Sequence, residues 1–198
     1  WRDYAALEIK NDSYWANILR SNEFEFDYML TKAGKPVDKT EWLMLDTQDI
    51  SRSINITRLL NVELTDVKFA NTSGMTLYGL TTDSVLRKLD LSGETISRGL
   101  VTNVKDFSIF EEGTVVSYVG VDPTDDKKTV TGIYKDGDSA SRILRTVDTP
   151  NANLRINVTR YFGEDYVAIS EGNKVEIFTG SLPSATQETN TLRLFADF

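Results

Sequence analysis

Apolar and polar residues alternate in short runs along most of this chain. Val67 and Phe69 flank Lys68, Phe107 and Ile109 flank Ser108, and Phe24, Phe26 and Tyr28 flank Glu25 and Asp27. A period of two sends successive side chains to opposite faces, so each run predicts a half-buried strand. Thr114 to Val121 is a near-continuous β run, rich in Val, Tyr and Thr. Asp165 to Ser170 and Lys174 to Phe178 flank Glu171-Gly172-Asn173, which predicts a tight hairpin. Asp136-Gly137 and Ser73-Gly74 mark further turns. Helical spacing is rare. Tyr14, Trp15, Ile18 and Leu19 suit one face of a short helix, and a strand almost as well. Asn55 is placed to cap a short turn running to Leu60, with Ile56, Leu59 and Leu60 facing inward.

The strand-like runs recur at a fixed step. Leu45-Asp46 returns as Leu89-Asp90, 44 residues on, and Gly93, Gly137 and Gly180 follow one another at 44 and 43. Units two and three also match in their first halves. Asp66-Val67-Lys68-Phe69, Gly74 and Leu77-Tyr78 correspond to Asp106-Phe107-Ser108-Ile109, Gly113 and Val116-Ser117-Tyr118. Repeats of this length are units too small to bury their own apolar faces, and three or four short strands in each is the arithmetic of a β-propeller blade. The expected fold is therefore all-β and β-propeller-like. The expected units are roughly 4–50, 62–100, 103–147 and 154–182, with 191–198 as part of a fifth. Four units and a fraction predict an arc of a larger propeller.

Lys88-Leu89-Asp90-Leu91-Ser92-Gly93-Glu94 resembles the outer-strand text of WD40-type blades, although no Gly-His or Trp-Asp signature accompanies it. The kelch double-Gly and sialidase Asp-box patterns are missing too. Trp42 to Asp46, Leu77-Tyr78-Gly79-Leu80, Arg87 to Leu91 and Ser97-Arg98-Gly99-Leu100-Val101 together resemble something narrower. Over residues 40–180 the chain is similar to the β-propeller region of membrane-anchored PEGA-domain proteins from minimal candidate-phylum bacteria. That resemblance implies an extracytoplasmic, cell-envelope location and a non-enzymatic role.

The chain has no Cys and no His among 198 residues. This removes disulfides, thiolate metal sites, Cys nucleophiles and every Ser-His-Asp arrangement. The net charge of -8 is spread without long blocks of one sign, so it reads as a solvated surface. Binding to a nucleic-acid backbone needs a basic stripe, and none is present. No run approaches the ~20 apolar residues that cross a bilayer, so no membrane contact is expected from this segment. The chain opens on Trp1 and closes on the apolar run 192–198. Natural termini are usually polar, so a piece of a longer protein is expected, with any anchor lying outside it.

Candidate chemistry is sparse. Thirty acidic residues guarantee close carboxylate pairs by chance, so no glycosidase-like dyad can be singled out. Asp122, Asp125 and Asp126 form the densest acidic loop, but the spacing is not that of a calcium loop, and Lys127-Lys128 would oppose a cation. There is no phosphate-binding Gly-rich loop. Asn11, Asn55, Asn71 and Asn157 begin Asn-x-Ser/Thr sequons. Trp42 starts an apolar run and is expected in the core, Trp1 and Trp15 are open to either reading, and Tyr161-Phe162 is expected in the core of a blade. No catalytic, metal-binding or cofactor-binding residue is nominated, and the binding residues are left unspecified. The leading expectation is a non-catalytic binding or scaffold module for a protein or a cell-surface glycan. Self-association through open blade edges is a further possibility, and a glycan-active enzyme using two carboxylates is the competing reading.

Overall fold

The computed structural model describes residues 17–25, 28–34, 40–46, 48–71, 74–111, 113–186 and 191–198, with side chains from residue 41 onward. Among the described residues, sixteen strands form four antiparallel sheets, each built from four consecutive strands. The first sheet holds β1 (Asn17–Glu25), β2 (Tyr28–Gly34), β3 (Thr40–Asp46) and β4 (Ile54–Asn55). The second holds β5 (Leu64–Phe69), β6 (Thr76–Thr81), β7 (Leu86–Asp90) and β8 (Thr95–Ile96). The third holds β9 (Val104–Phe110), β10 (Val115–Asp122), β11 (Asp125–Lys135) and β12 (Arg142–Val147). The fourth holds β13 (Leu154–Tyr161), β14 (Glu164–Glu171), β15 (Lys174–Thr179) and β16 (Arg193–Asp197). A short helix, α1 (Ile56–Leu60), joins the first two sheets, and the Asn55 side chain accepts from the Arg58 N–H as its cap.

The 44-residue step has a local cause. The third strands end at Asp46, Asp90, Lys135 and Thr179, which are 44, 45 and 44 residues apart. In the first two sheets the closing Asp also holds the turn that follows. Asp46 Oδ1 accepts from the N–H groups of Gln48 and Asp49, both at 3.0 Å. Asp90 Oδ1 accepts from Ser92 and Gly93 at 2.9 and 3.1 Å. A side-chain oxygen that satisfies the next two backbone donors offers the chain an alternative to the ladder, which is why the strand stops there.

A second repeated device lies at the start of the second and third sheets. Leu64 pairs with Thr81 but Asp66 with Leu80, so Thr65 is an extra residue. Val104 pairs with Gly120 but Asp106 with Val119, so Lys105 is the extra residue 40 positions later. Asp66 and Asp106 each accept the N–H of the following residue at 2.9 Å beside the bulge. A bulge raises the local twist, and its recurrence gives both strands the same bend.

Contacts divide the chain into two compact units, 1–82 with 87–98, and 83–86 with 99–198. In the first, the facing sides of two sheets share a core of Trp42, Met44, Ile56 and Leu60 against Leu64, Val67, Phe69, Leu77, Leu89 and Leu91. Trp42 is in the core, as its position at the head of an apolar run predicts, and its Nε1 donates to Leu64 O at 3.3 Å. In the second unit, Val115 and Ile133 of the third sheet pack against Leu154, Val158, Val167 and Ile169 of the fourth, with Leu182. Arg145 on β12 reaches Glu176 on β15, and Asp138 Oδ2 accepts from Ala185 N at 3.0 Å.

Three local expectations are revised, and one open alternative is decided. The run 191–198 does not begin a fifth unit. It supplies β16, which pairs with β15 from Thr179↔Arg193 to Glu176↔Asp197 and completes the fourth sheet. Phe24 and Tyr28 belong to two strands rather than one, because Tyr28 lies in β2 and pairs with Glu25 of β1; Phe26 lies outside the described residues. Ile18 and Leu19 lie in β1, paired with Ala33 and Lys32, so the strand reading of that stretch holds; Tyr14 and Trp15 lie outside the described residues, as do Trp1 and Asn11. Tyr161 and Phe162 are not core residues, as described next.

Candidate binding surface

The hairpin between β13 and β14 turns on two residues, Phe162 and Gly163, with Tyr161 paired to Glu164. Their φ angles are +49° and +81°. A two-residue hairpin of the type I′ form, whose twist matches its strands, has positive φ at both central positions, which Gly meets freely and a bulky side chain rarely does. Phe162 nevertheless holds this conformation with 90% of its surface in water, and Tyr161 is 64% exposed. Their rings meet edge to face at 4.4 Å and 76°. The apolar pair looked like core text because a sequence shows hydrophobicity and not which end of a strand a residue occupies. The available signal was the spacing itself: two residues between alternating strands, one of them Gly, form a tip.

Beside the tip, on the side of the fourth sheet turned away from the third, lies an open groove of about 610 Å³. Asn157, Thr159 and Tyr161 of β13, Tyr166 and Ala168 of β14, Ile177 of β15 and Phe195 of β16 line it. Tyr166 and Phe195 pack edge to face at 5.7 Å and 83°. Arg160 also borders the groove, while its guanidinium turns toward the third sheet. Its guanidinium sits 5.8 Å from the Phe110 ring centroid, bonds Asp165 at 2.6 and 2.7 Å, and reaches Glu111 of the third sheet. Arg160 therefore braces the base of the tip against its neighbour.

A smaller cavity of about 310 Å³ opens between the third and fourth sheets. Asp106, Ser108, Ser117 and Tyr118 line one side, and Leu154, Arg155 and Ile156 the other. The Tyr118 hydroxyl lies 3.0 Å from Ser141 Oγ, and burial pushes its ionisation upward. Asp106 turns its carboxylate to the Phe107 N–H, a structural role.

The close carboxylates are engaged with cations and backbone donors. Arg52 lies 2.9 Å from Asp46 and 3.7 Å from Asp49. The Asp49 N–H, with Gln48 and Arg52, holds Asp46 below the usual carboxylate range against the opposing effect of burial. The Ser51 hydroxyl and N–H lower Asp49. Glu176 is lowered by Lys174 at 2.9 Å and by Arg145. In the acidic loop, Asp122 Oδ1 accepts from the Thr124 N–H and hydroxyl at 2.8 and 2.6 Å. Asp125 Oδ1 accepts from Lys127 N, and Lys128 lies between Asp125 and Asp148 at 3.6 and 3.3 Å. The loop is thus a self-satisfied hairpin tip, and among the described residues no cluster of three acids suits a metal ion.

Comparison with protein-family models and with curated proteins gives no match. Solved structures do resemble the chain. Oligopeptidase B from Leishmania major superposes with a TM-score of 0.58 at 13% identity, covering 90% of this chain and 27% of that one. The β-propeller domain of the trilobed protease from Pyrococcus furiosus, which has an open velcro topology, gives 0.52 at 12% identity, covering 92% and 69%. The fold is that of a β-propeller. Its blades are the four consecutive-strand sheets, as the repeat predicts. The chain spans well under half of the oligopeptidase and 47% of the N-terminal domain of Nup159, a further similar structure with a TM-score of 0.44. At such identities the likeness concerns the fold, and a propeller's function resides in its surface residues.

Proposed function

We propose that this propeller segment is a non-catalytic module that binds a protein partner through the Tyr161–Phe162 tip. The carrying observation is Phe162 itself. A bulky ring is held in water, in a left-handed backbone conformation that a glycine or asparagine would adopt at lower cost. Folding gains from that arrangement only the edge-to-face contact with Tyr161, whereas recognition gains more: exposed aromatics on a rigid turn fill a partner's pocket with little conformational entropy to lose. The brace from Arg160 to Asp165 and Glu111 supports the same reading, since it fixes the strand ends from which the tip projects. Further support comes from the acids: Asp46, Asp49 and Glu176 are each committed to cations or backbone donors.

The PEGA-type resemblance of residues 40–180 adds a location. On that reading the segment works outside the cytoplasm, in the envelope of a bacterium, held there by a membrane anchor elsewhere in the protein. No helix of the described residues is long and apolar enough to cross a membrane. The test is a pair of proteins, wild type and Phe162→Asn, immobilised and exposed to solubilised envelope proteins and to an array of cell-surface glycans. Retention of one envelope protein by the wild type and its loss in the variant supports the proposal. Cleavage of any arrayed glycan by the wild type overturns the non-catalytic reading, and equal retention by both proteins removes the tip from it.

A further inference from the structure

We infer that the cavity between the third and fourth sheets binds a small zwitterion, a free α-amino acid with a short apolar side chain. The first ground is how the cavity arises. The second and third sheets share a bulge in their first strands. Counting from it sets the pair Lys68↔Tyr78 level with the pair Ser108↔Ser117. Both Tyr78 and Ser117 are buried. At one and the same register the third sheet therefore carries a hydroxymethyl group where the second carries a phenol ring. Ser117 lies two residues after Val115, which packs against the fourth sheet, so Ser117 faces that sheet too. The cavity of about 310 Å³ lies beside it. Protein interiors are otherwise close-packed, so a volume of this size needs an occupant, and a polar lining calls for a polar one.

The second ground is the lining. Ser108 and Ser117 form one cross-strand pair, and Asp106 lies two residues before Ser108, paired with Val119. Asp106 Oδ1 accepts the Phe107 N–H at 2.9 Å, which fixes the carboxylate and leaves Oδ2 for a ligand. Arg155 lines the cavity from β13, between Leu154 and Ile156, which supply an apolar wall. Among the described residues, no hydrogen bond engages the Ser117 hydroxyl and no ion pair engages Arg155. Polar groups in such a position are satisfied by water or by a ligand that displaces it.

The third ground selects the ligand. One carboxylate and one guanidinium border a single small cavity. A simple anion meets Asp106 as a like charge, and a simple cation meets Arg155 in the same way. A zwitterion satisfies both: its ammonium donates to Asp106, and its carboxylate accepts from Arg155, whose planar fork matches two carboxylate oxygens. The Ser108 and Ser117 hydroxyls complete the polar contacts, and the wall of Leu154 and Ile156 receives a short apolar side chain. The volume is at the lower end of the ~300–1,000 Å³ of small-molecule sites, which suits a single amino acid rather than a peptide of several residues.

Titration of the isotope-labelled chain with valine, isobutylamine and isovalerate, followed by amide NMR shifts, tests this. Valine carries both charges, isobutylamine only the ammonium and isovalerate only the carboxylate. Valine should shift the Ser108, Ser117 and Ile156 amides with a dissociation constant on the order of 1 mM or below. Each analogue should bind at least about tenfold more weakly, as should valine to Arg155→Gln and to Asp106→Asn. Both residues are exposed, so these two variants should keep the wild-type circular dichroism. Arg155→Gln should hold valine no better than isobutylamine, and Asp106→Asn no better than isovalerate, a pattern that a merely structural change does not produce. Ser117→Tyr, which restores the ring of the second sheet, should abolish the shifts. No shift at about 20 mM valine, analogues that bind as tightly as valine, or binding indifferent to Arg155→Gln or Asp106→Asn each overturns the inference. None of these variants alters Phe162, so the outcome is separate from that of the proposed tip.

Discussion

Replacing Ile133 by alanine tests whether the third and fourth sheets share one core. Ile133 is 1% exposed and lies in the cluster that joins Val115 to Leu154, Val158, Val167 and Ile169. The substitution removes three carbons, worth about 0.8 kcal/mol each when buried, or about 2.4 kcal/mol together. The cavity left between two sheets that are each held by their own ladders closes only in part and adds roughly 1 to 2 kcal/mol. The expected loss is about 3 to 4 kcal/mol, a large share of the ~5–15 kcal/mol that stabilises a typical domain. For a chain of this size it corresponds to a fall in melting temperature of roughly 6 to 16 °C. Urea denaturation followed by tryptophan fluorescence and by circular dichroism measures it. Ile143→Ala provides the control, because Ile143 lies on the neighbouring strand but is 37% exposed, and it should cost about 1 kcal/mol or less. If Ile133→Ala costs no more than Ile143→Ala, the two sheets do not stabilise one another, and the argument from repeat to shared core fails.

Other predictions follow from single contacts. A Cβ at Gly132 would stand 2.3 Å from Arg142 O and 2.7 Å from the Tyr118 hydroxyl, so Gly132→Ala should destabilise by about 2 kcal/mol or more through lost β11–β12 pairing; Gly137→Ala, where a Cβ meets nothing within 4 Å but φ is +90°, should cost only about 1 kcal/mol, and thermal melts of both variants check the contrast. Phe162→Asn should raise stability by about 0.5 to 1 kcal/mol, because asparagine tolerates the left-handed turn, and a lowered urea midpoint would refute the reading of strain. Asp46, Asp49, Asp122 and Glu176 all have folded-state ionisations below the ordinary carboxylate value. Their stabilisation is therefore fully present above that value, near pH 4, and is lost as pH falls through the folded values. Urea midpoints measured from pH 7 to pH 2 should drop below about pH 4, and Arg145→Ala, which removes one cause of the Glu176 shift, should flatten part of that drop.

Much of the fold was legible in the sequence because strands announce themselves locally. Alternation at Val67 and Phe69, or at Phe107 and Ile109, follows from the two faces of a pleat, and both pairs lie in strands. The Leu-Asp step of 44 is visible because each such Asp caps a turn made by its own neighbours, a short-range interaction that leaves a mark in the text. Asn55 was legible for the same reason. The tail was not. An apolar run around Leu194 and Phe195 reads equally well as the first strand of a new sheet or the last strand of an old one, and only its pairing with β15 decides. Tyr161 and Phe162 show the same limit from the other side. Hydrophobicity states that a residue tends to leave water, but the depth at which it sits depends on the strand end it occupies and on what packs above it. The sequence by itself thus determined the strands, their turns and the repeat, because these arise from contacts among near neighbours. Tertiary structure alone decided which edge β16 joins, which side of the fourth sheet stays open, and that an aromatic pair stands in water, because those outcomes depend on residues distant in the chain that no local pattern encodes.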